Sequence, residues 1–346
     1  MNTELFHITK VEGNEDLIAR AGKMLREGGL VVFPTETVYG LGGLATSDAA
    51  AKAIYEAKGR PSDNPLIIHV ATPEEAEPYA VTSDTYYRLA KKFMPGPLTV
   101  ILPKKDSIPL SVTGGLDTVA VRCPAHPVAC ALIRATGAPV AAPSANRSGR
   151  PSPTCAAHVI DDLDGRVAAI IDGGECEVGL ESTIVKLEGD KAILLRPGAI
   201  TADALSCVCE TSIAPAVTAA LAENERPLSP GMKYRHYAPQ SPLVLLDGEE
   251  DAVIAFLKTR AKDPSVGILC YDEEQPLLTG HATLFPIGAR EDLAAQARRL
   301  FAALREADKH EHLQKLYAHL PPKTGVGLAL YNRCIRAAAH TVEKID

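Results

Sequence analysis

The chain has 346 residues, 46% hydrophobic and 23% charged, with a formal net charge of −7. That length suits two domains better than one, and the acidic balance carries no global signature of a nucleic-acid binder, so any RNA contact needs a local basic patch. No apolar run reaches the roughly 18 residues that span a bilayer, and Met1-Asn2-Thr3-Glu4 lacks the start of a signal peptide, so a cytoplasmic protein with no membrane contact is expected.

Periodicity predicts a helix over residues 14–27, with Leu17, Ile18, Ala21, Met24 and Leu25 on one face and Gly28-Gly29 ending it. Residues 30–33 read as a buried strand closed by Pro34, and an Ala-rich helix over 48–57 ends at Gly59. Strand 66–70, a helix near 83–94 and strands 98–102 and 119–121 follow. Next come helix 126–136 and strands 140–142, 168–171, 183–187 and 192–195. This alternation is an α/β domain, placed at residues 10–205. Residues 206–242 carry Pro215, Pro227, Pro230, Pro239 and Pro242 with weak periodicity and read as an interdomain linker. A smaller α/β domain spans 243–346: strand 243–246, helix 250–262, strands 266–270 and 283–287, and helices 290–308 and 326–340. It is read as a small parallel sheet covered by helices. It lacks a Gly-x-Gly-x-x-Gly turn, which gives nucleotide binding there little support.

The eight cysteines form no Cys-x-x-Cys pair, which argues against structural zinc. They are expected to be reduced and mostly buried.

Two motifs about 85 residues apart carry the chemistry: Lys58-Gly59-Arg60-Pro61 and Pro143-Ser144-Ala145-Asn146-Arg147-Ser148-Gly149. The first sets two fixed cations where a helix stops. Cations there also suit the helix macrodipole, but the turn-forming run Pro61-Ser62-Asp63-Asn64-Pro65 predicts a rigid loop around them. The second sets a hydroxyl, an amide and a guanidinium on a Gly/Pro-punctuated loop. Together they suit a phosphorylated ligand without a Walker-type loop.

From Thr118 to Ile160 there is no acidic residue, while Arg122, Arg134, Arg147 and Arg150 are present. Arg122 ends an apolar strand, where a charge rarely sits without a partner. The segment Pro34-Thr35-Glu36-Thr37-Val38-Tyr39-Gly40-Leu41-Gly42 follows the first strand directly and reads as a glycine-bearing loop at a strand end, where α/β sites collect. His69 inside its strand is either a hydrogen-bonded core residue or part of that site. Ser182 and Arg196, both at strand ends, add a hydroxyl and a guanidinium for an anion. The linker run Ser229–Pro239 is basic, aromatic and free of acids; it reads as a flap over a bound nucleotide or as a segment docked on the first domain.

In this order and combination the motifs resemble the YrdC-like family. The Lys58/Arg60 and Ser144/Asn146 pairs carry the likeness, with Pro34–Leu41, Glu181-Ser182-Thr183-Ile184, Leu195-Arg196-Pro197-Gly198, the linker motif and the C-terminal region extending it over nearly the whole chain, as in two-domain members. The resemblance implies a twisted α/β sheet with a concave, positively charged face and a smaller Rossmann-like C-terminal domain. It implies an enzyme that joins L-threonine, bicarbonate and ATP into threonylcarbamoyl-adenylate, releasing pyrophosphate. A separate transferase complex then modifies the tRNA adenosine beside the anticodon, so a contact with tRNA or that complex is possible.

By the same resemblance, Thr35, His69, Arg122, Ala142 and Ser182 hold threonine, with Arg122 on its carboxylate. Lys58 and Arg60 neutralise phosphate oxygens and are the catalytic pair. Ser62, Thr118, Ser144, Asn146, Ser152 and Arg196 join them on ATP, with Tyr234 or Tyr237 of the flap. Mg²⁺ is expected to ride on the triphosphate, because no carboxylate cage stands out. The alternatives are a carbamoyl-transferring relative, whose extra modules this chain lacks, and an RNA-binding module of the same fold.

Overall fold

A computed structural model describes residues 2–218 and 236–346. The described chain divides into two compact units. The first runs to Ser148 and resumes at Ser152; the second holds Gly149–Pro151 and the chain from His236 to Asp346.

The first unit is built on one eleven-stranded mixed sheet. Its strands are β1 (Glu4–His7), β2 (Val31–Phe33), β3 (Gly40–Leu44), β4 (Ile67–His69), β5 (Leu98–Pro103), β6 (Thr118–Arg122), β7 (Val140–Ala142), β8 (Ala169–Asp172), β9 (Thr183–Glu188), β10 (Lys191–Arg196) and β11 (Thr211–Ile213). They lie in the order β1-β8-β2-β3-β7-β4-β6-β5-β9-β10-β11. β4 and β6 run parallel, while β7 and β5 run antiparallel on their outer sides. Both faces of the sheet are covered. Along β2, Val31 and Phe33 enter one core and Val32 the other, so the short strand reads as continuously apolar.

Helices α1 (Glu15–Arg26) and α4 (Pro127–Thr136) supply Ile18, Leu25, Leu132 and Ile133 to the first of these cores. Helices α2 (Asp48–Lys58), α3 (Asp84–Phe93) and α5 (Ala156–Leu163) supply Ile54, Leu89 and Val159 to the second. Local chemistry sets the ends of α2: the Ser47 hydroxyl accepts from Ala50 N–H at 3.2 Å, and Gly59 ends it at φ +62°. A short α6 (Ala202–Ser206) precedes β11.

The α/β class is as the sequence predicts, but β1, β3, α5 and α6 were not expected. β3 was read as loop because of its glycines. Those glycines are what let it be a strand. A Cβ on Gly42 would lie 2.8 Å from Val140 Cγ1, 3.0 Å from Phe33 Cε1 and 3.0 Å from the Val31 carbonyl oxygen. β11 falls within the predicted linker and pairs in parallel with β10, so the sheet continues past the expected boundary.

The second unit has five strands: β12 (Leu243–Gly248), β13 (Val266–Cys270), β14 (Thr283–Pro286), β15 (Lys315–His319) and β16 (Val342–Ile345). Their order is β14-β13-β15-β12-β16 and every pairing is parallel. Helices α7 (Glu250–Arg260), α8 (Leu293–Ala307) and α9 (Gly327–Ala337) complete it. The sequence reading missed β15 and β16: both are short, β15 is polar at its ends and β16 carries two charges in its middle. Yet β15 is internal, between β13 and β12. Within this unit Arg305 Nε and Nη2 donate to the Pro151 carbonyl at 3.0 and 2.7 Å, and Ala238 N–H donates to the Gly149 carbonyl at 3.0 Å. Six of the eight cysteines are buried, and all eight are unpaired thiols. No helix among the described residues is long and apolar enough to cross a membrane.

Gly42→Ala should cost about 1–3 kcal/mol, the range of overpacking in a filled core. Urea unfolding should show a lower midpoint at unchanged slope.

Candidate functional site

The site starts from strand register. His69 of β4 is the in-register partner of Arg122 of β6, and Arg122 is in turn the partner of Thr99 of β5. Residues directly opposite on neighbouring strands project to the same face, so three polar side chains stand in a row at strand ends. Thr99 Oγ1 lies 2.7 Å from Ser182 Oγ, which accepts from Arg196 Nη2 at 3.1 Å; Arg196 Nε donates to the Ser182 carbonyl at 3.0 Å. His69, Arg122, Ser182 and Arg196 are thereby joined into one strip, each 6% exposed or less.

His69 stands with its Nδ1 3.1 Å from the Ile67 carbonyl and 3.3 Å from the Val140 carbonyl. Two acceptors there assign the proton to Nδ1 and leave Nε2 as a lone-pair acceptor. Burial, then the Arg122 charge, push its pKa down to about 3, so the ring is neutral. The core reading of His69 is therefore met at Nδ1, which serves the backbone.

Arg122 is 4% exposed. Its Nη2 donates to Glu36 Oε1 at 2.7 Å, and its Nε is buried with no acceptor. Sequence reasoning missed Glu36 as the partner. The signal was present: a buried arginine in a stretch without acids must draw its counter-charge from elsewhere.

The Pro143–Gly149 loop continues β7. Ala142 ends that strand opposite Ile67, and the bridge between Gly40 and Ser144 prolongs the β3–β7 pairing. Lys58, the last residue of α2, sends Nζ to the Ser144 carbonyl, the Asn146 carbonyl and Asn146 Oδ1. Ser144 Oγ donates to Asn146 Oδ1 at 2.5 Å. The two motifs, about 85 residues apart in the sequence, thus form one body, with the ammonium as its knot. Arg60 curls back: Nε and Nη2 donate to the Asn64 carbonyl at 3.3 and 3.2 Å, and Nη2 also to Pro65 at 3.1 Å. This shapes the predicted rigid turn.

The other candidates differ in placement. Thr35 Oγ1 is taken up locally, donating to the Val38 carbonyl at 2.6 Å and lying 2.9 Å from Thr37 Oγ1. Ser152, 1% exposed, donates to Glu181 Oε1 at 2.5 Å. Thr118 is half-buried at the start of β6, at the opposite end of that strand from Arg122, and Ser62 is exposed on the Arg60 turn. Tyr237 belongs to the second unit, where its ring is 4% exposed and stacks on Phe301 at 5.1 Å. That ring is used in packing the unit. Tyr234 lies outside the described residues, as does most of the predicted flap.

The protonation of His69 is open to test. Its folded pKa is depressed, so it contributes stability above the unfolded value near 6.5, and this is lost as pH falls toward 3. Between pH 6.5 and 5 the wild type should lose stability faster than His69→Gln, by up to about 1.4 kcal/mol per pH unit. Urea titrations across that range measure the difference.

Comparison with known proteins gives concordant matches. The Sua5-YciO-YrdC family model, described as telomere recombination, matches residues 23–198. A second model, described as threonylcarbamoyl-AMP synthase, C-terminal domain, matches residues 200–339. A threonylcarbamoyl-AMP synthase of Bacillus subtilis strain 168 is 46% identical over 95% of both chains. One of Pyrococcus abyssi is 44% identical over 94% of this chain and 95% of its own. The crystal structure of P. abyssi Sua5 complexed with L-threonine superposes with a TM-score of 0.88 at 41% identity, covering all of both chains.

Proposed function

The chain belongs to the Sua5-YciO-YrdC family, among its threonylcarbamoyl-AMP synthases, and from that membership we propose how its residues divide the reaction. The enzyme condenses L-threonine, bicarbonate and ATP to threonylcarbamoyl-adenylate and pyrophosphate. The product supplies the threonylcarbamoyl group that a separate transferase complex places on the tRNA adenosine beside the anticodon. A cytoplasmic setting goes with this role.

The observation that carries the residue assignment is the buried strip at the strand ends. It offers an unmet guanidinium N–H at Arg122, a neutral lone-pair acceptor at His69 Nε2 and a hydroxyl at Ser182. An amino acid with a side-chain hydroxyl matches that set: its carboxylate for Arg122, its donors for His69 and Ser182. Ala142, opposite Ile67 and two positions along β7 from that row, is kept as a further backbone contact on the strength of the family likeness.

Threonine's neutral amine adds to the carbon of bicarbonate-derived carbon dioxide, giving a carbamate. A carbamate oxygen then attacks the α-phosphorus of ATP, the bond to the β-phosphate oxygen breaks, and pyrophosphate leaves. No protein nucleophile is required, so catalysis is positioning and charge stabilisation. Lys58 and Arg60 supply the positive charge for the phosphates, with Ser62, Thr118, Ser144, Asn146, Ser152 and Arg196 as further nucleotide contacts and Tyr234 as the flap candidate. Mg²⁺ would neutralise phosphate charge.

The direct test is to incubate the protein with ATP, bicarbonate and single amino acids and look for a new adenylate by mass spectrometry. A threonine- and bicarbonate-dependent product is expected. RNA binding without it would favour the non-catalytic alternative. Lys58→Ala should cost about 2–4 kcal/mol of transition-state stabilisation, measured as the fall in pyrophosphate release. Arg122→Lys should raise the threonine KM far more than the ATP KM, because an ammonium cannot copy the guanidinium fork.

A further inference from the structure

Glu36 lies in the turn after β2, and its side chain is 8% exposed. One carboxylate oxygen accepts from Arg122 Nη2 at 2.7 Å and the other from Ala125 N–H at 3.1 Å. Its main-chain carbonyl accepts from Val178 N–H at 2.8 Å. The turn after β2, the turn after β6 and the loop before β9 therefore meet on this one residue.

An ion pair kept only for the fold has little to recommend it here. Replacing a buried pair by apolar side chains of similar volume is often neutral or stabilising. A buried donor left without an acceptor is destabilising, and Arg122 Nε is such a donor. The arrangement makes sense if a ligand oxygen completes it. Glu36 engages Nη2 alone, which fixes the guanidinium plane and leaves Nε without a protein acceptor. We propose that Glu36 is a positioning residue for the amino-acid substrate: it holds Arg122 so that the guanidinium N–H groups Glu36 does not engage meet the substrate carboxylate. This rests on the threonine reading of the Arg122 strip. Because Glu36 already shares the guanidinium charge, a carboxylate alone is held weakly, and selectivity falls to the groups that His69 and Ser182 recognise.

The test uses the full chain, with calorimetric titration of L-threonine and the KM values for threonine and ATP from pyrophosphate release. Glu36→Ala should weaken threonine binding and raise its KM by about tenfold or more, leaving the ATP KM within about twofold. Glu36→Gln keeps an acceptor for Nη2 and should restore threonine affinity to within about threefold of wild type. Equal rises in both KM values, unchanged threonine binding in Glu36→Ala, or a Gln variant as impaired as the Ala variant would each overturn the proposal. If Glu36→Ala shows no cooperative melt, Glu36→Asp replaces it; its shorter reach should shift threonine and not ATP, and no shift overturns the idea. A wild type that binds no threonine would sink the threonine reading itself, and the proposal with it, whereas threonine binding that ignores Glu36 sinks the proposal alone.

Discussion

The first unit depends on a strand with almost no side chains. β3 is the sole link in the sheet order between β1-β8-β2 and the remaining seven strands. It pairs with β2 through Gly40, Leu41 and Gly42 and with β7 through Gly43 and Leu44. Phe33 and Val140 already fill the space on one face of it, as the contacts of a notional Cβ on Gly42 show. A backbone this closely packed cannot carry side chains there, so the join between the two parts of the sheet is made by hydrogen bonds and glycine.

From that join the site follows. β3 fixes β7, β7 fixes β4, and β4 fixes β6, so His69 and Arg122 come to lie side by side. The Ser144 loop emerges from the same β7, and Lys58 ties it to the end of α2. The candidate residues thus sit at the ends of rigid strands and on one cross-braced loop, and each buried charge among them has a stated neighbour. Arg122 has Glu36, Lys58 has a cage of amide oxygens, and His69 is kept neutral by burial and by the Arg122 charge.

Much of this was legible in the sequence, and the failures share a cause. The α2 stop was readable because Gly59 and the cations beside it act locally. The polar residues at strand ends were readable because each sits next to an apolar run. What escaped needed a partner far along the chain. Glu36 and Arg122 are 86 residues apart. β3 escaped because its glycines signal a turn unless the crowding of Phe33 and Val140 is known. β15 escaped because burial between two neighbours, and not its own pattern, makes it a strand. The stacking of Tyr237 on Phe301 escaped for the same reason, since the two lie 64 residues apart.

The position of β8 also bears on how the molecule is made. β8 lies between β1 and β2, and His7 meets Asp172 across 165 residues of sequence. At ordinary rates of translation that separation takes on the order of ten seconds to emerge from a ribosome. Until then β1 and β2 have no strand between them, and their ladder groups stand open to water and to other nascent chains. This end of the sheet cannot be assembled strand by strand as the chain appears. β1 joins the sheet through β8, so this edge is completed only after Ala169–Asp172 has been made.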